Sequence, residues 1–132
     1  MIDIHSHIIS GIDDGSKNTE MTIKMLEMAE ESGTTDIVAT PHFMRGRFEV
    51  TYKEVIDEVE NLKKLTKENS ININIYSGQE VYYSRNILEY YNQGMIGTIN
   101  NTRYMLIEFP MLEFNIEEVI NTLYELQIRG IV

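Results

Sequence analysis

The chain has 132 residues, enough for one ordinary domain with a hydrophobic core, and its 42% apolar content argues against wholesale disorder. Its formal net charge of −10 argues against a nucleic-acid-binding protein, because nucleic acids are bound by a basic face. The chain has no cysteine, which excludes disulfides and thiolate metal ligation and leaves His, Asp and Glu as the strong metal ligands.

Strand-type and helix-type patterns alternate along the chain. The patterns predict strands at 1–5, 35–40, 71–77 and 102–109, helices at 18–32, 52–68, 84–93 and 116–129, and the start of a fifth strand at 130–132. Such alternation indicates right-handed βαβ crossovers and a parallel sheet, the α/β class. In parallel α/β folds the active site lies at the carboxyl edge of the strands, so polar residues at strand ends are the candidates for chemistry.

The apolar spacing within the helices predicts which faces point inward. The first helix, with Asn18 or Thr19 as its cap and Gly33 as its stop signal, presents three methionines and an alanine at helical spacing, and we expect the methionines in the core. The residues expected inward are Met21, Met25, Met28 and Ala29 in the first helix, Val55, Ile56, Val59, Leu62 and Leu65 in the second, and Val119, Ile120, Leu123 and Leu126 in the last.

The first chemical motif is Asp3-Ile4-His5-Ser6-His7 at the end of the first strand. Residues two apart on a strand share a face, so His5 and His7 are able to point at one metal ion. The alternative is a pair of ordinary surface or helix-capping histidines, because short motifs often occur by chance.

The next motif, Gly11-Ile12-Asp13-Asp14-Gly15, reads by itself as a turn, since Asp and Gly dominate turns. Beside His5 and His7, however, Asp14 is also a candidate ligand. Asp13 has two further interpretations, as a cap of the turn or as a group that orients a ligand histidine.

The third motif is Thr40-Pro41-His42, in which the histidine follows a strand and a proline. The alternative is a plain loop histidine, but all three histidines of the chain fall at predicted strand ends. Glu80 and Glu108 also lie beside apolar strand ends, where either a metal ion or a salt bridge would offset the burial of a carboxylate. In the loop after His42, Arg45 and Arg47 are candidates for contact with a substrate phosphate, with a solvated loop as the alternative.

Together these motifs resemble the polymerase-and-histidinol-phosphatase (PHP) superfamily, and above all its bacterial tyrosine-phosphatase branch, which is associated with capsule and exopolysaccharide synthesis. The resemblance covers the whole chain in order and spacing. It rests on the three histidine and aspartate motifs above, on Gly78-Gln79-Glu80 and on Leu106-Ile107-Glu108-Phe109-Pro110.

The resemblance implies a distorted (β/α)7 TIM-like barrel. Residues 1–132 would be the N-terminal part of a single such domain, comprising βα units 1 to 4 and the start of strand 5. Because a (β/α) barrel needs about 250 residues, we expect the remaining metal ligands, a histidine and an Asp-x-His pair, and further substrate-binding arginines to lie beyond Val132.

The resemblance also implies a site with up to three metal ions, usually manganese, with iron or zinc as the alternatives. His5, His7 and Glu80 would hold the first ion. Glu80 would bridge to a second ion that Glu108 also binds, and Asp14 and His42 would hold the third. The implied reaction is the hydrolysis of a phosphoric monoester, phosphotyrosine, by a metal-activated hydroxide attacking in line.

The expected partner is a phosphotyrosine protein, namely a bacterial tyrosine kinase that controls polysaccharide export. Neither a signal peptide nor a membrane span is visible in the sequence, so we expect a cytoplasmic protein without membrane insertion. Two other hypotheses remain open. One is a small-molecule phosphatase of the same superfamily, similar to histidinol phosphatase. The other is a catalytically incomplete fragment that only binds metal or self-associates into a homo-oligomer through an open sheet edge.

Overall fold

Parallel strands and α-helices alternate along the chain in the computed structural model, which describes residues 1–132. The strands are β1 (Ile2–Ser6), β2 (Asp36–Ala39), β3 (His42–Phe43), β4 (Asn74–Ser77), β5 (Glu80–Tyr82) and β6 (Leu106–Glu108). The helices are α1 (Thr19–Glu31), α2 (Tyr52–Glu68), α3 (Ile87–Asn92) and α4 (Ile116–Ile128), with a single 3-10 turn at Ile99–Asn101. The predicted parallel α/β class is therefore confirmed.

The strands form two three-stranded parallel sheets, in the orders β1-β2-β4 and β3-β5-β6. The sequence predicted only one strand where the structure has β2 and β3, and none after β4, where β5 lies. The chain turns from the first sheet into the second at Thr40-Pro41 and at Gly78-Gln79. The hydrogen bonds continue around this corner, because Gly78 donates its backbone N–H to the Ala39 carbonyl (2.9 Å) and Glu80 donates to the Pro41 carbonyl (3.0 Å).

The last predicted strands are shorter than expected. Only Leu106–Glu108 of the strand predicted at 102–109 is regular, and a 3-10 turn at Ile99–Asn101, in which Asn100 and Asn101 adopt left-handed backbone angles, precedes the predicted segment. Residues 130–132 form no regular strand. Val132 nevertheless donates to the Arg103 carbonyl (2.7 Å) and accepts from the Met105 N–H (2.9 Å), the two bonds of a parallel pairing around Tyr104.

Helix α1 buries a different face from the one its methionines predicted. Met21 and Met28 are exposed, whereas Thr22 and Leu26 are buried, so the placement of those two methionines in the core was wrong. The Thr22 hydroxyl donates to the Ile8 carbonyl (2.8 Å) and lies 2.7 Å from the Ser16 hydroxyl oxygen. These hydrogen bonds of the buried Thr22 hydroxyl fix which face of α1 points inward. The hydrophobic pattern does not predict them. The predicted cap is correct, since the Asn18 side chain accepts from the Met21 N–H.

The inward faces of α2 and α4 were predicted in part. Val55, Val59 and Leu62 of α2 are buried, but Ile56 is exposed. In α4 only Val119 and Leu126 are buried, whereas Ile120 and Leu123 are 60% and 37% exposed, which corrects that part of the prediction. No element of the described chain packs over this side of α4.

None of the helices combines the length and apolar character that a membrane crossing requires.

Candidate metal centre

The sheet corner brings together all six residues that the sequence proposed as ligands. His5 lies on β1, His7 just after it and Asp14 in the loop that follows, while Glu108 ends β6. His42 and Glu80 follow the ends of β2 and β4, as predicted, and they also begin β3 and β5, where they pair directly across the second sheet. The break at Pro41 and at Gly78-Gln79 accounts for both positions, because it places the ends of the first sheet beside the starts of two strands of the second.

Glu80 is the centre of this cluster. Its Oε2 atom lies 2.9 Å from His5 Nε2, 3.1 Å from His7 Nε2 and 3.2 Å from His42 Nδ1. The same oxygen is buried and has no hydrogen bond of acceptable geometry. A buried carboxylate in this state is costly unless a cation compensates it. The position of Glu80 therefore fits a shared metal ligand.

Three overlapping groups of donor atoms surround Glu80, and within each group the atoms lie no more than 4.8 Å apart. The groups are His5, His7 and Glu80; His7, Asp14 and His42; and His42, Glu80 and Glu108. Asp14 Oδ1 lies 3.2 Å from His42 Nε2, and Glu108 Oε2 lies 3.5 Å from His42 Nδ1. Imidazole and carboxylate donors in such proximity suit divalent Mn, Fe or Zn.

Asp13 supports the cluster from behind. Its Oδ2 atom lies 2.9 Å from His7 Nδ1 and accepts the backbone N–H of His42 (3.1 Å), while Oδ1 accepts the backbone N–H of Gly15 (2.9 Å). Asp13 thus performs both roles that the sequence left open, the turn cap and the orientation of a histidine. When His7 Nδ1 donates to Asp13, His7 Nε2 presents its lone pair toward Glu80, the geometry of a metal ligand.

The electrostatics of this pair agree with the geometry. The hydrogen bond to Asp13 raises the pKa of His7, against the lowering effect of burial. Burial acts to raise the pKa of Asp13, but hydrogen bonds from His7 and from the backbone N–H groups of Gly15 and His42 outweigh it and leave this pKa lowered. Asp13 is therefore held as a carboxylate that orients the imidazole.

Gly15 has a steric role beside His7. A Cβ atom at this position would lie 2.3 Å from His7 Cβ and 2.4 Å from the His7 carbonyl oxygen. Such distances are far inside van der Waals contact, so only glycine lets the Asp13–Asp14 loop fold back onto the histidine.

The two arginines of the loop after His42 have different surroundings. The Arg45 guanidinium pairs with Glu49 at 3.1 Å and lies over the Tyr90 ring. The Arg47 guanidinium lies 5.0 Å from the centre of the Phe48 ring and has no carboxylate within ion-pair distance. Phe48 stacks on His42, with the ring centres 5.5 Å apart. Sequence reasoning missed Phe48, because nothing in the spacing marks a lone aromatic in a loop.

Comparison with known proteins gives concordant results. A family model described as "Capsular polysaccharide synthesis, CpsB/CapC" matches residues 1–132. CapC of Staphylococcus aureus is 39% identical over 131 residues, which cover 98% of this chain and 51% of CapC. The tyrosine-protein phosphatase CpsB of Streptococcus pneumoniae is 37% identical over 84% of this chain and 46% of its own length.

A solved structure gives the same relationship in three dimensions. It comes from work on YwqE of Bacillus subtilis and CpsB of Streptococcus pneumoniae, described as unique metal-dependent tyrosine phosphatases. It superposes on all of this chain with a TM-score of 0.93 at 30% identity, over 53% of its own length. The chain spans about half the length of the curated relatives it matches. It belongs to the CpsB/CapC family of capsular polysaccharide synthesis proteins, as its motifs predicted.

Proposed function

We propose that the protein is a metal-dependent phosphoesterase that removes phosphate from tyrosine residues of proteins. The observation that carries the proposal is the buried Glu80 carboxylate, with three imidazole nitrogens within 3.2 Å of one oxygen and no hydrogen bond to that atom. Related proteins of the family are described as tyrosine-protein phosphatases, and the superposed structure as metal-dependent.

In this proposal the six clustered residues hold up to three divalent ions, with manganese as the preferred metal and iron or zinc as alternatives. His5, His7 and Glu80 would hold one ion, Glu80 and Glu108 a second, and Asp14 and His42 a third. The three groups of donor atoms support this division, with His7 and His42 each lying near a neighbouring group as well. When bound, such ions supply an activated water and neutralise the charge that develops on the phosphoryl group.

The other residues would position and shield the reacting groups. Asp13 keeps His7 in the tautomer whose Nε2 faces the cluster, which fixes the ligand before the ion arrives. Arg47 is the better candidate for a phosphate contact, since its guanidinium has no competing carboxylate, whereas Arg45 already pairs with Glu49. Phe48 covers one face of His42 and keeps water from that side of the cluster.

The proposed substrate is a phosphotyrosine protein, and the expected one is a bacterial tyrosine kinase that controls polysaccharide export. The proposed domain organisation is that residues 1–132 are the N-terminal part of a single PHP-type barrel. The exposed apolar side of α4 supports it, because such a surface needs a cover. The cytoplasmic location and the homo-oligomer stay predictions.

The test uses the full-length protein that contains this chain and manganese in the assay. Glu80→Gln keeps the shape of the side chain but removes its charge. We expect it to reduce kcat/KM on a phosphotyrosine peptide by more than about a hundredfold, beyond the effect of substitutions outside the direct ligands. Glu68→Gln is the matched control, because Glu68 is exposed at the end of α2 and belongs to none of the three groups of donor atoms.

Manganese binding by calorimetry separates a metal role from a folding role. Glu80→Gln with a wild-type melting temperature and weakened manganese binding is the expected result. Equal turnover by Glu80→Gln and Glu68→Gln would show that the site assignment is wrong. Turnover of histidinol phosphate without turnover of the peptide would favour the small-molecule phosphatase instead.

A further inference from the structure

A groove of about 340 Å³ borders the metal cluster on the side of β6. Its volume lies within the range of about 300 to 1,000 Å³ that is usual for small-molecule sites. Its walls come from the loop after β3, from β5 and from the segment after β6. The lining residues include Met44, Arg47, Tyr82, Glu108, Phe109 and Leu112.

Glu108 belongs both to this groove and to the cluster. Its Oε2 atom lies 3.5 Å from His42 Nδ1, and the same residue forms part of the groove wall. Tyr82 pairs with Glu108 across β5 and β6, which places the tyrosine beside it in the wall. In an aryl phosphate only the ester oxygen separates the ring from phosphorus. A subsite for the ring must therefore touch a residue of the metal centre, and this groove does.

Five of the eight residues that line the groove are hydrophobic, and its rim is uncovered. Met111 is fully exposed and Leu112 is 83% exposed, although both are large apolar side chains. Phe109 is fixed in place by stacking on Tyr83, with ring centres 5.6 Å apart. Covering this surface with an aromatic ring would remove apolar area from water, which is favourable.

Besides Glu108, the groove has one other charged residue, Arg47, and its positive charge is complementary to a phosphate ester. Arg47 lines it and has no ion-pair partner, so a cation faces the space that a phosphate dianion would enter from the cluster. A second apolar groove, of about 420 Å³, lies between β6 and α4, but it contains none of the six clustered residues. It therefore offers no way to present a phosphate to the metal centre.

We propose that the groove beside Glu108 binds the aromatic ring of the substrate and so selects aryl phosphates over alkyl phosphates. This inference rests on the proposed function, because it assigns the ring of phosphotyrosine to a subsite next to the proposed metals. Tyr82, Phe109, Met111 and Leu112 act there as specificity-determining residues.

The test compares two probes that differ in the group bonded to phosphorus, which is a phenyl ring in one and a methyl group in the other. Phenylphosphonate and methylphosphonate carry the same phosphonate group and are not hydrolysed, so their dissociation constants are measurable by calorimetry on the manganese-loaded full-length protein. We expect the wild type to bind phenylphosphonate more tightly. The double variant Met111→Ser/Leu112→Ser should weaken phenylphosphonate binding by about tenfold, which corresponds to about 1.4 kcal/mol, and leave methylphosphonate binding unchanged.

Both serines replace exposed side chains, so this variant is expected to fold normally. The variant Tyr82→Ala tests the wall independently, with methylphosphonate binding as the check that the metal centre is intact. The matched control is Met21→Ser/Met28→Ser, which alters two exposed apolar residues on α1. It should preserve the preference for phenylphosphonate.

The outcomes separate this inference from the proposed function. If the wild type binds the two phosphonates equally, or if both groove variants keep the preference, the groove is not the ring subsite, although the metal centre stands. If neither phosphonate binds to the wild type in the presence of manganese, the proposed function fails and the subsite fails with it.

Discussion

The first region of the molecule, β1, β2 and β4 with α1 and α2, is covered more completely than the second, β3, β5 and β6 with α3 and α4. The core of the first region contains 11 buried apolar residues and that of the second contains 7. Helices α2 and α4 have similar apolar spacing, yet α4 leaves both Ile120 and Leu123 exposed, whereas α2 leaves only Ile56 of its predicted inward residues exposed. An amphipathic pattern thus specifies which face is apolar, but the neighbouring elements decide whether that face is buried.

The same contrast is present in the metal centre. In the first region, His7 is held by Asp13, and Asp13 is itself held by the Gly15 backbone. In the second region, Glu80 and Glu108 have no hydrogen bond that fixes their cluster-facing oxygens, and Glu108 is partly exposed. His7 is therefore preorganised, whereas the cluster-facing oxygens of the two glutamates depend on what binds to them.

The largest effects should come from matched substitutions in the two cores. Leu26 and Leu126 are almost fully buried, in the first and second core respectively. We expect Leu26→Ala and Leu126→Ala each to lower the free energy of unfolding of the full-length protein by about 2 to 5 kcal/mol, measured by urea denaturation. The exposed control Met28→Ala should stay within about 0.5 kcal/mol. A loss below about 1 kcal/mol for Leu126→Ala alone would mean that the second core is loosely packed.

The next substitution tests whether the open side of α4 is covered in the full-length protein. We expect Leu123→Ala to lower the free energy of unfolding by about 2 kcal/mol, the lower end of the range for core leucines, because the rest of the proposed barrel would bury it. Ile56→Ala on α2 is the control, since Ile56 has similar exposure (41%) and should cost less than about 1 kcal/mol. If both variants lower the free energy of unfolding by the same small amount, the apolar side of α4 is exposed in the full-length protein, which contradicts the proposed barrel.

Gly15→Ala tests the preorganised half of the metal centre. The added methyl group would collide with His7 and displace it, so we expect manganese affinity to fall by about a hundredfold, measured by calorimetry. Gly33→Ala is the control, because Gly33 has a positive φ but nothing within 4 Å of the added Cβ. It should reduce stability without changing manganese affinity. Unchanged affinity in Gly15→Ala would rule out His7 as a ligand.

Asp13→Asn should have a smaller effect on the same histidine. The amide oxygen still accepts the hydrogen bonds of one carboxylate oxygen, but the amide NH2 group cannot accept those of the other, and the negative charge that supports the imidazole is lost. We expect manganese affinity to fall by about tenfold, the lower end of the effects of such supporting groups. Asp57→Asn, on the exposed side of α2, should leave it unchanged. An unaltered affinity in Asp13→Asn would indicate that Asp13 serves only the turn.

The smallest effect concerns the start of α2, where Thr51 and Glu54 form a complete capping box. Hydrogen bonds from the Thr51 backbone and hydroxyl lower the pKa of Glu54. A lowered pKa in the folded state means that the ionised group stabilises the fold above its ordinary pKa of about 4.3, and that this contribution is lost as the pH falls below it. Glu54→Gln should therefore flatten the dependence of unfolding free energy on pH between about pH 6 and pH 3.

The control for the capping box is Glu68→Gln, which removes an exposed carboxylate that accepts no hydrogen bond. It should leave the dependence of the unfolding free energy on pH closer to that of the wild type. NMR titration of the Glu54 carboxyl group gives the pKa directly. A value at or above the ordinary one would contradict the capping geometry.

Local signals in the sequence were sufficient to predict where the helices lie and which six residues come together in the cluster. Asn18 caps α1 as predicted, because a side-chain oxygen that accepts from a free backbone N–H acts over a few residues only. The six clustered residues were predicted in the same way, since each follows or borders an apolar strand, where parallel strands deliver side chains to one edge. The metal roles of these residues stay proposals.

Long-range packing decided the rest. Whether the strand predicted at 35–40 is followed by a second strand at His42–Phe43 depends on a corner between two sheets. The rotation of α1 depends on a hydrogen bond from Thr22 to Ile8 across the core. The sequence by itself thus determined the alternation of strands and helices, the α/β class and the six candidate residues of the cluster, because these follow from spacing along the chain. The tertiary structure alone decided that Glu80 stands at the centre, that Asp13 supports His7 and that a groove opens beside Glu108, because these follow from distances between residues far apart in the chain.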